Sequence, residues 1–313
     1  MSKLRTGVIG VGYLGRFHAQ KYAAITDSKL CGVADSTLEN AQRVGAEVGT
    51  NAFGDYRALL DQVEAVSIAV PTPLHFAIAK DCLDRGIHVL VEKPITTTVE
   101  EARELIALAA EKKCVLQVGH LERFNPTIVA AAKTLKTPRF VESHRLAPFK
   151  QRGTDVSVVL DLMIHDIDLI QELVGSPITS IDASGSAIFS NDLDIANARI
   201  RFANGCVANT TASRVSMKQE RKIRLFQDDA YLSIDLQQKI LTIIRKKGDA
   251  PIESPAQVAI EEQSFDQGDA LRDEIEAFLK SIRTGQPPVV TGEHGLRALE
   301  TATQIARLVS QQA

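Results

Sequence analysis

GVIGVGYLGRFHAQ, residues 7–20, runs from an apolar strand-like segment through three spaced glycines into an amphipathic helical pattern. Gly10-x-Gly12-x-x-Gly15 in that setting reads as a dinucleotide-binding turn. Gly10 permits the tight turn, Gly12 the close approach of a pyrophosphate, and Gly15 close packing of helix on strand. The phosphates would rest on the first turn of the helix, at Tyr13 and Leu14, where N–H groups and the dipole favour anions. Glycines also punctuate ordinary turns, so the triplet carries weight only through its context. The next apolar run, KLCGVAD, supplies that context by ending in Asp35, about 20 residues beyond Gly15. A carboxylate there accepts both hydroxyls of an adenosine ribose and repels a 2′-phosphate. Ser36 and Thr37 bring no arginine to offset the repulsion. NAD, rather than NADP, is the expected cofactor.

Outward from this turn the pattern repeats. RTGVIGV, KLCGVAD, AVSIAV, HVLVE and CVLQVGH alternate with amphipathic segments such as LHFAIAKDCLDRG and TVEEARELIALAAEKK. Strands apolar on both faces and separated by helices predict a parallel, doubly wound sheet. Beyond residue 120, NPTIVAAAKTL reads as a helix, RFVESHRL as a strand, and DLMIHDIDLIQELVG as a helix ended by Gly175 and Pro177. ITSIDASGSAIF, DIANARIRF, CVANTTASRV, KIRLFQ, AYLSIDL and KILTIIRK then alternate as an antiparallel meander with one buried face. A polar loop near 248–268 precedes two helices, 269–283 and 293–311. The expected fold class is α/β plus α+β. An NAD-binding Rossmann domain covers 1–121, and a substrate-binding and oligomerisation domain covers 122–313, its last helices packing back toward the first.

The 313 residues suffice for two cores. Apolar residues at 44%, charged residues at 24% and a net charge of −3 give no reason to expect nucleic acid or an acidic membrane surface. No apolar run reaches the ~18–20 residues of a membrane span, and the N-terminus enters a strand at once, so no signal peptide is expected. Cys31, Cys82, Cys114 and Cys206 follow no metal spacing and read as buried, reduced thiols of a cytoplasmic protein without a structural metal.

Chemistry gathers at a few positions. The fourth strand ends in VEKPITTT, and strand C-termini in such sheets face the ligand crevice, so Glu92 and Lys93 point toward the reactive end of the cofactor. Pro71, Thr72 and His75 in PTPLHFAIA follow the third strand; His75 reads equally as a packed or capping residue and as a cofactor contact. His120 ends the fifth strand on the cofactor side. In DLMIHDID, residues 161–168, Asp161, His165 and Asp168 are spaced i, i+4, i+7 and stack along one helix face. Asp168 reads as a cap or ion pair, and Asp166, off that face, as solvated. A salt-bridged surface is the ordinary explanation of any one of these charges.

GVIGVGYLGRFHA, AVPTPLHFAIA, HVLVEKP and DLMIHDID, in that order, resemble the Gfo/Idh/MocA oxidoreductase family over essentially the whole chain. The resemblance implies a Rossmann domain plus an open, mostly antiparallel sheet with helices on one face. The free face would make a homodimer or homotetramer. The family's catalytic lysine, aspartate and histidine fall on Lys93, Asp161 and His165. VGHLERFNP, ESHRLAPF and ASRVSMKQERKIRLFQ are similar to members that oxidise the 3-hydroxyl of UDP-N-acetylglucosamine, supplying 3-amino sugars for lipid A.

On that reading His165, which titrates near neutrality, is the base or acid. Asp161 holds the imidazole or the sugar, and Lys93 meets the reacting hydroxyl and the nicotinamide ribose. Arg123, Asn125, Arg145 and Arg214 complete the substrate side, with Lys150 and Arg152 in the same basic set. No cysteine sits in a catalytic-looking loop, so oxidation is expected to stop at a ketone. The alternatives are a dehydrogenase of another nucleotide sugar, one of a free polyol such as inositol, or a non-catalytic dinucleotide sensor.

Overall fold

The computed structural model describes residues 2–149, 156–248 and 254–311; Lys150 and Arg152 lie outside them. In chain order the first elements are β1 (Leu4–Ile9), α1 (Tyr13–Ala24), β2 (Ser28–Ala34), α2 (Leu38–Val48), β3 (Asn51–Phe53), α3 (Arg57–Leu60), β4 (Ala65–Ile68), α4 (His75–Asp84), β5 (His88–Glu92), α5 (Val99–Lys112) and β6 (Leu116–Gly119). Next come α6 (Pro126–Thr134), β7 (Phe140–Leu146), α7 (Ile164–Val174), β8 (Ile178–Ser186), β9 (Ile195–Phe202), β10 (Val207–Ser213) and β11 (Glu220–Gln227). The chain closes with β12 (Ala230–Asp235), β13 (Ile240–Lys246), β14 (Val258–Ser264), α8 (Ala270–Thr284) and α9 (Gly292–Ser310). It divides into two compact units, Met1–Leu121 with Asp269–Leu299, and Glu122–Gly268 with Glu300–Ala313.

The first unit holds a parallel sheet of order β3-β2-β1-β4-β5-β6. That order reverses direction between β1 and β4, the place where such sheets open a ligand crevice. β3, only three residues long, is one strand more than the sequence pattern showed; so short a run has no alternation to read. Val8, Val33 and Leu90 of the strands pack with Ala19 and Tyr22 of α1 and with Ile275 and Phe278 of α8. α8 reaches this core because Leu271, Ile275, Phe278 and Leu279 fall on one helical face. Asp269 caps its start by accepting from the Arg272 N–H at 3.1 Å, and Gly285, at φ +67°, ends it.

The second unit holds a sheet of order β14-β13-β12-β11-β7-β10-β9-β8, antiparallel except for the pair β7–β10. Burial alternates along β7, β9, β10 and β12, as the sequence pattern predicts for a sheet with one covered face. Ile164, Ile167, Leu169 and Ile170 of α7 are fully buried in this unit. No helix of the described residues is long and apolar enough to cross a membrane.

Candidate functional site

The glycine turn has the geometry its spacing predicts. Gly10 sits at φ +83°, where a Cβ would meet Val70 Cγ1 at 2.6 Å. A Cβ on Gly15 would lie 1.8 Å from the Gly10 carbonyl oxygen, so helix and strand approach as closely as backbone allows. Gly12 is different: nothing lies within 4 Å of its would-be Cβ, and no side chain caps α1 there. The open space above Gly12 and the start of α1 is the cradle a pyrophosphate would fill. Tyr13 is exposed, and Leu14 beside it is exposed to a lesser degree. Asp35, just past β2, accepts the Val11 N–H at 2.9 Å and the Thr37 N–H at 2.9 Å. Its carboxylate is thereby fixed beside the glycine turn.

Glu92 closes β5 and Lys93 follows it, half-buried, with a cis Lys93–Pro94 peptide. His75 is buried, with Nδ1 2.8 Å from the Pro94 carbonyl and Nε2 2.9 Å from the Val70 carbonyl. Burial pushes its pKa below the usual histidine range. His75 thus ties the segment after Lys93 to the loop after β4, a packing task. Pro71 is exposed and Thr72 half-buried in that loop; His120 is buried at the end of β6.

Two residues here were not singled out from sequence. His18 of α1 sets Nε2 3.0 Å from Glu92 Oε1 and Nδ1 3.1 Å from Ser67 Oγ, which lies 2.9 Å from the Tyr22 hydroxyl. Glu274 of α8 joins His18 and Glu92, with one ligand-type atom from each within 4.8 Å of the others. His18 lies inside the opening motif, one turn past Gly15. Glu274 interrupts the apolar face of LRDEIEAFL, and that interruption is the signal that could have found it.

In the second unit DLMIHDID does not form one regular helix. Val159–Met163 is a π-helical turn, with the Ile164 N–H reaching back to the Val159 carbonyl, and α7 continues from Ile164. Such turns recur at functional sites. Asp161 and His165 are half-buried, whereas Asp166 and Asp168 are each 2% exposed. Asp166, expected to be solvated, is held by Arg145 through Nε at 3.1 Å and Nη2 at 2.9 Å. The helix turns that side toward β7, and a buried carboxylate requires a partner. Asp168 forms the ion pair expected of it, with Arg123 at 2.6 and 2.9 Å. It is buried where Asp161 and His165 are half-buried.

Of the expected substrate contacts, Arg123, Asn125, Arg145 and Arg214 are engaged within this unit. Arg123 also pairs with Glu172 at 2.8 Å, and Arg145 with Glu122 at 3.1 Å. Asn125 caps α6, accepting from the Thr127 N–H at 3.2 Å, and donates to the Leu236 carbonyl at 3.1 Å. Arg214 donates to the carbonyls of Val156 and Leu193 and lies 3.5 Å from Asp194. Of the cysteines, Cys82 and Cys206 are buried, while Cys31 in β2 and Cys114 just before β6 are half-buried, a departure from the expectation for those two. Burial pushes the Cys82 thiol up to about 12 and the Cys206 thiol up to about 11, leaving both as poor nucleophiles.

Comparison with known proteins gives a consistent set of likenesses. Residues 4–120 match a model described as oxidoreductase family, NAD-binding Rossmann fold, and residues 133–233 match the GFO/IDH/MocA C-terminal domain. The chain is 44% identical, over 97% of both lengths, to UDP-N-acetylglucosamine 3-dehydrogenase of Acidithiobacillus ferrooxidans. A solved structure of that enzyme superposes with a TM-score of 0.94 at 43% identity, covering 99% of each chain. Scyllo-inositol dehydrogenase from Lactobacillus casei, solved with bound NAD(H) and scyllo-inositol, shares the fold with a TM-score of 0.82 at 21% identity, covering 99% of this chain and 98% of that one.

Proposed function

The chain belongs to the GFO/IDH/MocA oxidoreductase family, and from that premise we propose that it oxidises the 3-hydroxyl of UDP-N-acetylglucosamine to a ketone with NAD. The observation that carries this reading is the 44% identity to UDP-N-acetylglucosamine 3-dehydrogenase across nearly the full length of both chains. We assign cofactor binding to residues 1–121, and substrate binding and homo-oligomer formation through the second sheet to residues 122–313, of which Asp269–Leu299 pack with the first unit. The reading fits a cytoplasmic enzyme. The residues fit a dinucleotide: an open cradle above Gly12, a closed one at Gly15, and a fixed carboxylate at Asp35. NAD, when bound, supplies the hydride acceptor.

In the catalytic set, Lys93 hydrogen-bonds the reacting hydroxyl and stabilises the charge developing on its oxygen. His165 takes or returns the hydroxyl proton, and Asp161, placed by the π turn, holds the imidazole or the sugar. Arg123, Asn125, Arg145 and Arg214, committed to partners within the second unit, hold the loops and the helix that carry these groups. Asp35 favours a free 2′-hydroxyl over a phosphate and so sets the preference for NAD. The buried thiols offer no nucleophile to carry an aldehyde on to an acid, and a secondary alcohol stops at the ketone.

The purified protein, given NAD and a panel of UDP-sugars and free polyols, is expected to form reduced cofactor with UDP-N-acetylglucosamine, one per sugar. Turnover of a polyol beside none with any UDP-sugar would replace this substrate. Lys93→Ala is expected to remove turnover while leaving NAD binding within about threefold, since the cradle lies elsewhere.

A further inference from the structure

We propose that Glu274 carries a proton in the working protein and, together with His18, is a positioning residue for the Glu92–Lys93 end of β5. Three observations converge on it. Glu274 is 0% exposed, and among the described residues neither of its carboxyl oxygens has a hydrogen-bond partner. Its nearest charged company is a second carboxylate, Glu92, rather than a cation. Glu92 itself is already satisfied on both oxygens: Oε1 lies 3.0 Å from His18 Nε2, and Oε2 accepts the Lys93 backbone N–H at 3.3 Å.

Two ionised carboxylates at that spacing repel, and nothing offsets the loss of hydration at Glu274. The less burdened of them, Glu274, therefore keeps its proton. Burial first, and the Glu92 charge second, push its pKa well above the ordinary glutamate range. As a neutral acid it can donate toward Glu92, which an ionised glutamate cannot. The groups that face it are few: Glu92 from β5, and His18 and Tyr22 from α1, with the Gln117 amide of β6 on its backbone carbonyl at 3.1 Å. Lys21 of α1 is engaged at the start of α8, 2.6 Å from Asp269.

The hydrogen-bond order follows. Tyr22 and Ser67 bond each other, Ser67 meets His18 Nδ1, and His18 Nε2–H donates to Glu92. Nε2 must carry a proton, because a lone pair facing a carboxylate oxygen would be repelled. α1 thus holds the Glu92 carboxylate through His18, α8 sets the Glu274 acid beside it, and Glu92 in turn holds the Lys93 backbone. Misplacing a reacting group by about 1 Å can cost on the order of a hundredfold in rate.

A raised folded-state pKa means that folding takes up a proton. The contribution is fully favourable below the unfolded value of about 4.3 and is lost progressively as pH rises toward the folded one. Glu274→Gln, neutral at every pH, is therefore expected to melt at a higher temperature than the native protein at pH 8, with the gap closing near pH 4. It is also expected to keep kcat within about twofold. Glu274→Leu, which cannot donate, is expected to stay folded and lose at least about tenfold in kcat, with sugar KM and NAD affinity unchanged.

The melting arm needs no substrate and stands apart from the activity proposed above; only the kcat arm rests on that activity. A Glu274→Gln protein less stable than native at pH 8 would overturn the protonated state. So would one equivalent of divalent metal in the native protein that Glu274→Gln loses. Native kcat in Glu274→Leu would overturn the positioning role.

Discussion

Gly12 and Gly15 lie three residues apart in one turn, yet the space around them assigns them opposite tasks. A methyl on Gly15 falls 1.8 Å from the Gly10 carbonyl, and backbone must separate to admit it. Gly15→Ala is expected to lose about 1–3 kcal/mol of stability or more, read as a lower urea midpoint, and to lose NAD binding with it. A methyl on Gly12 meets nothing within 4 Å. Gly12→Ala is therefore expected to melt like the native protein while NAD affinity, by calorimetry, falls at least about tenfold, near 1.4 kcal/mol. Equal melting losses in both variants would mean that Gly12 has a structural task as well. These glycines and Asp35 were legible in the sequence because a turn states its demands locally: a positive φ, a missing Cβ, a carboxylate at a fixed offset. His18 and Glu274 were not, because each is explained by a partner on a distant stretch of chain. A histidine in a helix and a glutamate in an amphipathic one look unremarkable until α1 and α8 share a core.

α7 shows how one element sorts four similar charges. Regular helical spacing lines up Asp161, His165 and Asp168, and the sequence reading followed that rule. The π turn at Val159–Met163 takes Asp161 off that spacing, and Asp161 and His165 are half-buried while Asp166 and Asp168 are buried against arginines. Met163 and Ile164, where the turn meets α7, are fully buried, and no single-sequence pattern carries such packing. The arginines come from the segment before α6 and from β7, so the pairs were invisible too. Asp168→Ala leaves the Arg123 guanidinium, with a side chain 4% exposed, with Glu172 as its remaining ion-pair partner among the described residues. It is expected to destabilise the protein by about 3 kcal/mol or more, measured by urea unfolding. Asp161→Asn, on the accessible side, is expected to change stability by no more than about 0.5 kcal/mol and yet abolish most turnover. If Asp161→Asn instead unfolds the protein and Asp168→Ala does not, the two roles are exchanged.

The assembled sheet of the second unit carries a feature that no single strand shows. Phe140, Phe226, Tyr231, Ile244 and Ile260 lie directly opposite one another, strand to strand, across β7, β11, β12, β13 and β14. Phe140 meets Phe226 and Phe226 meets Tyr231 with ring centroids 5.6 and 4.9 Å apart. Ile260 is 68% exposed at the end of this row and Phe226 is 37% exposed within it. Toward β9 and β10 the same face turns polar, with Asn197 opposite Thr211 and Arg199 bonded to Asn209. Single exposed apolar residues are ordinary, but a contiguous row on one half of a sheet marks a surface that a partner covers. A second copy of the chain is the partner proposed here, and a stable pair needs about 800 Å² from each copy, more than five side chains supply. The row is then the apolar centre of a larger polar-rimmed interface, where disruption has most effect. Phe226→Lys with Ile260→Lys places two like charges in that centre while leaving the buried face untouched. Sedimentation velocity is expected to show the native protein as a dimer or tetramer and the double variant as a smaller species that melts cooperatively. A native monomer at micromolar concentration, or a variant of unchanged size, would return the row to solvent.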